Sequence, residues 1–182
     1  EVAYKNHFSL TSIIIFFVAL SVAFVPFKSQ KNKKVTKSPF ISIPKGPLLP
    51  VAIITFFASL SEGAVADWSA IFLKSVASLN DGSAALGFTV FSVCMFSMRL
   101  MGDRISFKLG PSNAARYSGL VALTGSIILL ISNSFLLLLL GFGFIGLGIA
   151  VIIPLAFSRA GNDKNISQGT AIASIATLGY GG

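Results

Sequence analysis

Cysteine and histidine are almost absent, with Cys94 and His7 the only ones among 182 residues. A disulfide framework needs paired cysteines, and a metal centre needs several ligands at workable spacing, so neither can form. A Ser-His-Asp triad is excluded on the same ground, because His7 has no partner at suitable spacing. Acidic residues are scarce too, six against fourteen Lys and Arg. There is no glycine-rich loop ending in Lys-Ser or Lys-Thr to cradle a nucleotide phosphate. Charged residues make up 11% of the chain, hydrophobic ones 54%, and mean hydropathy is +0.84, a profile that soluble domains do not reach. The formal charge of +8 does not imply nucleic acid. Its charges lie in short stretches between apolar runs rather than on one basic face. No cofactor is expected.

What the chain does have is long apolar segments. Crossing a bilayer takes about 20 residues, and five stretches qualify: 7–27, 48–73, 83–101, 113–132 and 135–158. A sixth begins near Gln168 and reaches Gly182 after about 15 residues, too short to cross. The first is no signal peptide, being too long and lacking a basic leader and a small-residue cleavage site. Glu1 stands where a Met would begin, and both ends fall close to or within apolar stretches, so the sequence reads as an internal piece of a larger membrane protein.

The charges orient these segments. Twelve of the fourteen Lys and Arg fall in or beside three of the five connections. Lys28, Lys31, Lys33, Lys34, Lys37 and Lys45 crowd the first; Arg99, Arg104, Lys108 and Arg116 bracket the third; Arg159 and Lys164 mark the fifth. The second holds only Lys74, and the fourth is Ser132-Asn133-Ser134. Cytoplasmic loops are enriched in Lys and Arg. Residues 28–47, 102–112 and 159–167 are therefore expected inside, and 74–82 and 133–134 outside. Segment 28–47 carries Pro39, Pro44 and Pro47 with five Lys before Pro39, and reads as a solvated linker. The expected architecture is an all-α membrane protein: 1–27 ends one helical bundle, 28–47 is a basic cytoplasmic loop, and 48–182 forms a second bundle.

Within 48–73, Pro47 and Pro50 suit the first turn. At about 100° per residue, Ser59, Gly63, Ala66 and Ala70 make one narrow stripe, with Ile54, Phe57, Ala64, Trp68 and Phe72 broadly opposite. Small stripes let helices approach closely in lipid, so this stripe is expected to pack inward with Glu62 and Asp67 on its two flanks. Trp68 suits an interfacial aromatic belt. Segment 135–158 holds Gly141, Gly143, Gly146 and Gly148 before Pro154. That pattern fits close packing with a tolerated kink, or a helix that bends during a transport cycle.

The most specific local signal is Arg99-Leu-Met-Gly-Asp-Arg-Ile-Ser-Phe-Lys-Leu-Gly110, expected to be a loop with an Asp-Arg pair just after a helix end. It resembles the short cytoplasmic signature of the major facilitator superfamily, G-x-x-x-D-R-x-G-R-R/K. Asp103, Arg104 and Lys108 match; Arg99 stands where the first glycine usually is, and Ser106-Phe107 replace Gly-Arg. The resemblance implies an incomplete major-facilitator bundle: helix six, the central loop, helices seven to ten and part of eleven, partnered by an N-terminal half of the same chain. Gly102, Asp103, Arg104 and Lys108 would then form a cytoplasmic gating motif. In that family the Asp faces a neighbouring helix N-terminus and the Arg pairs with an acid. The phrase Glu62-Gly-Ala-Val-Ala-Asp-Trp-Ser69 is also similar to sugar permeases of the fucose type. The implied function is a secondary transporter in a bacterial inner membrane, moving a small solute by alternating access, with protons as a coupling ion.

Glu62 falls near the middle of a helix about 39 Å long, and Asp67 about 7 Å further out. A carboxylate at mid-membrane costs about 2.5–3.5 kcal/mol on insertion scales. Either it hydrogen-bonds a neighbouring helix, or it serves substrate binding or proton coupling. Two other functions compete with transport. One is a non-transporting scaffold or receptor. The other is a membrane-embedded enzyme, for which no nucleophile, base or ligand set converges at one depth.

Overall fold

The computed structural model describes residues 44, 46–78, 80–163 and 166–181, together with residues 9, 11–13, 15–17 and 20. The chain divides into two units, Glu1–Lys37 and Ser38–Gly182. In the first, the described residues are helical and mostly exposed, with Phe16 and Phe17 in edge contact at 5.8 Å. The rest of the expected span 7–27, and nearly all of the expected loop 28–47, lie outside the described residues.

The second unit is helical throughout, with no strand among the described residues: α1 Leu48–Ala77, α2 Asp81–Ala84, α3 Leu86–Leu109, α4 Pro111–Ile131, α5 Phe135–Ile149, α6 Ile152–Gly161 and α7 Gln168–Gly179. Four helical stretches are long and apolar enough to cross a bilayer: Leu48–Ala77, Asp81–Leu109, Pro111–Ile131 and Phe135–Gly161. This is an all-α integral membrane protein.

The helices outrun the apolar runs, and this corrects the expected loop at 102–112. Helix α3 continues to Leu109, α4 begins at Pro111, and Gly110 alone turns the chain at φ +78°. No glycine or proline falls between 103 and 109, and Arg, Lys and Leu favour a helix, so the charged stretch stays helical until Gly110-Pro111. Asp103, Arg104 and Lys108 therefore ride on the last turns of α3. At the opposite end, α1 runs four residues past the expected Phe72-Leu73 boundary to Ala77. Ser78 then adopts the left-handed conformation, and the Asn80 side chain caps α2 by accepting from the Ser83 amide at 2.9 Å. A Lys74–Asp81 ion pair ties the two sides of this turn.

Helix α5 is the centre of the bundle, packed against both α3 and α4 and also touching α1. The Phe135–Gly161 stretch that it opens has mean hydropathy 2.8 and is more than half buried, while the other three candidate spans are mostly exposed. One core joins Val65 and Leu73 of α1 to Phe91 and Met95 of α3 and to Leu138, Phe142, Ile145 and Ile149 of α5. A smaller one joins Leu48 and Ala52 to Ala156, Ala160, Ala171 and Ile175. Lipid tails are as apolar as leucine, so association rests on close van der Waals fit rather than on escape from water. The glycines of α5 provide that fit. A Cβ on Gly146 would strike the Phe91 carbonyl, and one on Gly148 would strike the Ala122 backbone nitrogen.

The α5–α6 break falls at Ala150 and Val151. Pro154 explains it: proline cannot donate to the carbonyl four residues back, that of Ala150, and its ring crowds that turn.

Candidate functional site

Local sequence brings two opposite charges to the middle of the bundle. Glu62 sits at the midpoint of α1, about 21 Å along from Leu48 by helical rise. Arg99 lies on α3 about 15 Å before its end at Leu109. Their side chains meet: an Arg99 terminal nitrogen donates to Glu62 Oε2 at 3.3 Å. Neither is sealed off, with side-chain exposures of 39% for Glu62 and 43% for Arg99. Arg99 therefore sits level with Glu62 along the paired helices rather than in the connection after α3, and Glu62 does not stand alone at that depth. The pair could have been found from spacing. The two residues are 37 positions apart and equidistant from the Asn80–Asp81 turn, so antiparallel α1 and α3 must bring them level.

The face of α1 that packs differs from the expected small-residue stripe. Ala52, Thr55, Ala58, Val65, Ser69 and Leu73 are buried; of the stripe, Ser59 and Ala70 are half-buried, Ala70 against the core, whereas Gly63 and Ala66 are exposed and a Cβ on Gly63 would meet nothing within 4 Å. Glu62 falls within the buried arc. Asp67 is exposed on the far side and makes no hydrogen bond or ion pair among the described residues. Ile54, Phe57 and Trp68 are exposed as expected of lipid-facing positions, Trp68 at 64%. Phe72 instead turns inward, in edge contact with Phe142 at 6.1 Å. Stripe size misled because a helix packs on the face whose neighbours fit it, and Val65 and Leu73 fit Phe91 and Phe142 better than Gly63 fits anything.

The acid-base stretch of α3 is also divided by its surroundings. Gly102 is buried, and a Cβ there would come within 2.7 Å of Val151 Cγ1. It gives α3 room to cross the α5–α6 break. Asp103, Arg104 and Lys108 are exposed and make no hydrogen bond or ion pair among the described residues. Asp103 lines a cleft of about 420 Å³ between α3 and α6, together with Arg99, Ser106, Pro154 and Ser158. Arg104, on the next side of the helix, does not line this cleft. Among the described residues, no group of three or more His, Cys, Asp or Glu is placed to hold a metal ion.

The arrangement is thus a half-exposed ion pair at mid-span, opening along α3 into a largely apolar cleft that carries Asp103, Ser106 and Ser158 among its lining residues and ends at Gly110. Such a surface is unsuited to lipid, since every polar group facing hydrocarbon must find a partner within the protein. It suits a second protein surface or a water-filled path.

No protein-family model and no solved structure matches the chain. Its sequence is similar to three bacterial membrane proteins. It is 33% identical to an uncharacterized transporter, y4wD, of Sinorhizobium fredii, over 96% of this chain and 46% of that protein. It is 33% identical to an uncharacterized MFS-type transporter of Yersinia pestis, over 79% of this chain and 38% of the relative. It is 32% identical to membrane protein MosC of Rhizobium meliloti, over 74% and 33%. The chain spans about half the length, or less, of the curated relatives it matches.

Proposed function

We propose that this chain is the second-bundle portion of a major-facilitator transporter, and that the whole protein moves a small polar solute by alternating access. The single observation that carries the reading is the Glu62–Arg99 pair, half exposed at the depth where a solute path would run. The transporter names of two relatives support the same class. Alternating access places the site between two halves at the membrane midplane. The α1–α3–α6 face, with its ion pair and cleft, would then look toward the first half of the bundle, while exposed apolar residues of α4 such as Leu120, Leu123 and Ile127 face lipid. Gly102, Asp103, Arg104 and Lys108 would act at the cytoplasmic end, and the sugar-permease likeness around Glu62 favours a neutral sugar or polyol as solute.

The test is uptake by proteoliposomes holding the full-length protein under an inward proton gradient. Offered a panel of radiolabelled monosaccharides and polyols, they should accumulate at least one, and an uncoupler should collapse that accumulation. Glu62→Gln should insert normally, exchange the solute across the membrane and lose uphill accumulation. Equal radiolabel in protein-containing and empty vesicles across the whole panel would overturn the reading. Uphill accumulation by the Gln variant at the wild-type rate would remove Glu62 from coupling and leave Asp67.

Orientation is tested separately. Cysteines placed at Lys34 and Ser78, after replacing Cys94, should react oppositely with a membrane-impermeant maleimide applied to intact cells: position 78 labels, position 34 does not. The reverse pattern would invert the proposed topology.

A further inference from the structure

We propose that the end of α3 and the start of α4 hold one anionic phospholipid, its phosphate between Arg104 and Lys108 and one acyl chain in a notch enclosed by α3, α4 and α5. The inference goes beyond the transporter reading and needs only placement in a bilayer. The notch measures about 210 Å³ and is lined by Met98, Ile105 and Leu109 of α3, Val121 of α4, and Phe144 and Leu147 of α5. It follows α3 for about 16 Å, from Met98 to Leu109. No charged side chain lines it. An apolar cavity stays dry, and left empty it forfeits dispersion contacts on every wall. In a bilayer the molecule at hand to fill it is a hydrocarbon chain, and Leu120 and Leu123 of α4 stand exposed beside it. Two hydroxyls mark the α4 wall. Ser118 is only 5% exposed and has no hydrogen-bond partner among the described residues, and Tyr117 is exposed at the rim. Either can donate to a glycerol ester carbonyl, and a tyrosine ring suits the membrane interface.

Charge selects the headgroup. Ile105 also lines an open groove on the outer side of α3, together with Asp103, Arg104 and Lys108. The notch and the groove therefore adjoin. Arg104 and Lys108 are one helical turn apart and exposed, and neither makes a hydrogen bond or ion pair among the described residues. Asp103 is the opposing charge. It also lines the cleft toward α6, so its repulsion places a phosphate on the Lys108 side of the groove. Arg104, Lys108 and Asp103 sum to +1, which one phosphodiester neutralises. A zwitterionic headgroup would bring its own cation against the two basic side chains and gain less. Basic pockets at helix ends take anionic headgroups in this way, with a severalfold gain for each cation. Other charges stand apart: Arg99 pairs with Glu62 and Arg159 with Asp163. Arg116 lies about 200° round α4 from Ala114, which lines the notch.

Photo-crosslinking reads the site without knowledge of any solute. Full-length protein in lipid nanodiscs is irradiated with phosphatidylglycerol or phosphatidylcholine carrying the same diazirine in one acyl chain, and the labelled residues are mapped by peptide mass spectrometry. Phosphatidylglycerol should label Phe144 and Leu147 severalfold more than phosphatidylcholine does, while exposed Leu123 is labelled equally by both. Arg104 and Lys108 are exposed, so R104Q/K108Q should fold, and it should lose the preference. R116Q, at the same end of the bundle, should keep it. Unlabelled phosphatidylglycerol should compete, and soluble glycerol phosphate should not. Equal labelling of Phe144 and Leu147 by the two probes overturns the headgroup assignment, as does a preference that survives R104Q/K108Q. Label on Leu123 with none on Phe144 or Leu147 removes the acyl seat. An equal loss in R116Q would mean diffuse attraction to a basic surface, and competition by glycerol phosphate a site for free phosphate; either result overturns the lipid site. None of these results bears on solute uptake, so the transporter reading stands or falls separately.

Discussion

Full-length protein carrying Gly148→Leu is expected to fall to a small fraction of its normal level in the membrane. Gly148 lies where α5 meets α4, with the Ala122 backbone where a Cβ would go. Backbone cannot move aside as a flexible side chain can, so the helices must separate along their length. Overpacking costs about 1–3 kcal/mol in ordinary cores, and this contact belongs at the upper end because backbone is opposed to backbone. In lipid no hydrophobic gain offsets the loss of fit. The same reasoning applies to Gly146 against the Phe91 carbonyl. Gly63→Ala is the control: open space surrounds that position, and alanine favours helix over glycine by about 1 kcal/mol. Its level in the membrane and its thermal midpoint in detergent should equal or exceed the parent's. A Gly148→Leu protein that melts with the parent would show that α5 does not pack on α4 as described.

Neutralising one member of the central ion pair should be more damaging than neutralising both. Arg99→Leu leaves the Glu62 carboxylate without its counter-charge in the middle of the bundle, and Glu62→Leu leaves the guanidinium. Breaking a fully buried pair costs about 3–5 kcal/mol and an exposed one about 0–1, so this half-exposed pair should lose about 1–3 kcal/mol in either single variant. The double variant Glu62→Leu/Arg99→Leu buries no charge and should recover most of that stability. The measurement is the thermal midpoint of the four purified proteins in one detergent, read as a double-mutant cycle. Additive losses would mean that the two residues do not interact. Transport should stay abolished in the double variant, which separates the structural part of the pair from its functional part.

The all-α membrane class and four of the five expected spans were legible along the chain, because insertion depends on apolar length and on keeping every backbone group bonded within its helix. The stretches 48–73, 113–132 and 135–158 correspond closely to α1, α4 and α5–α6, and Ser132–Ser134 is the short connection expected there. The kink was legible in Pro154 and the close packing in the α5 glycines, since each states a backbone requirement. Helix ends were less so. Charges at 103–108 end the apolar run, but a helix stops where its backbone must, at Gly110-Pro111. Tertiary structure alone decided which face of α1 is buried. Its hydropathy is high on every side, so rotation about the axis is set by how Val65, Ser69 and Leu73 fit α3 and α5, and small residues at Gly63 and Ala66 count for nothing without a partner. That rotation puts Glu62 inward against Arg99 and leaves Asp67 outside. The pairing of two charges 37 residues apart is a property of the hairpin, made when two helices align, and neither residue carries it by itself.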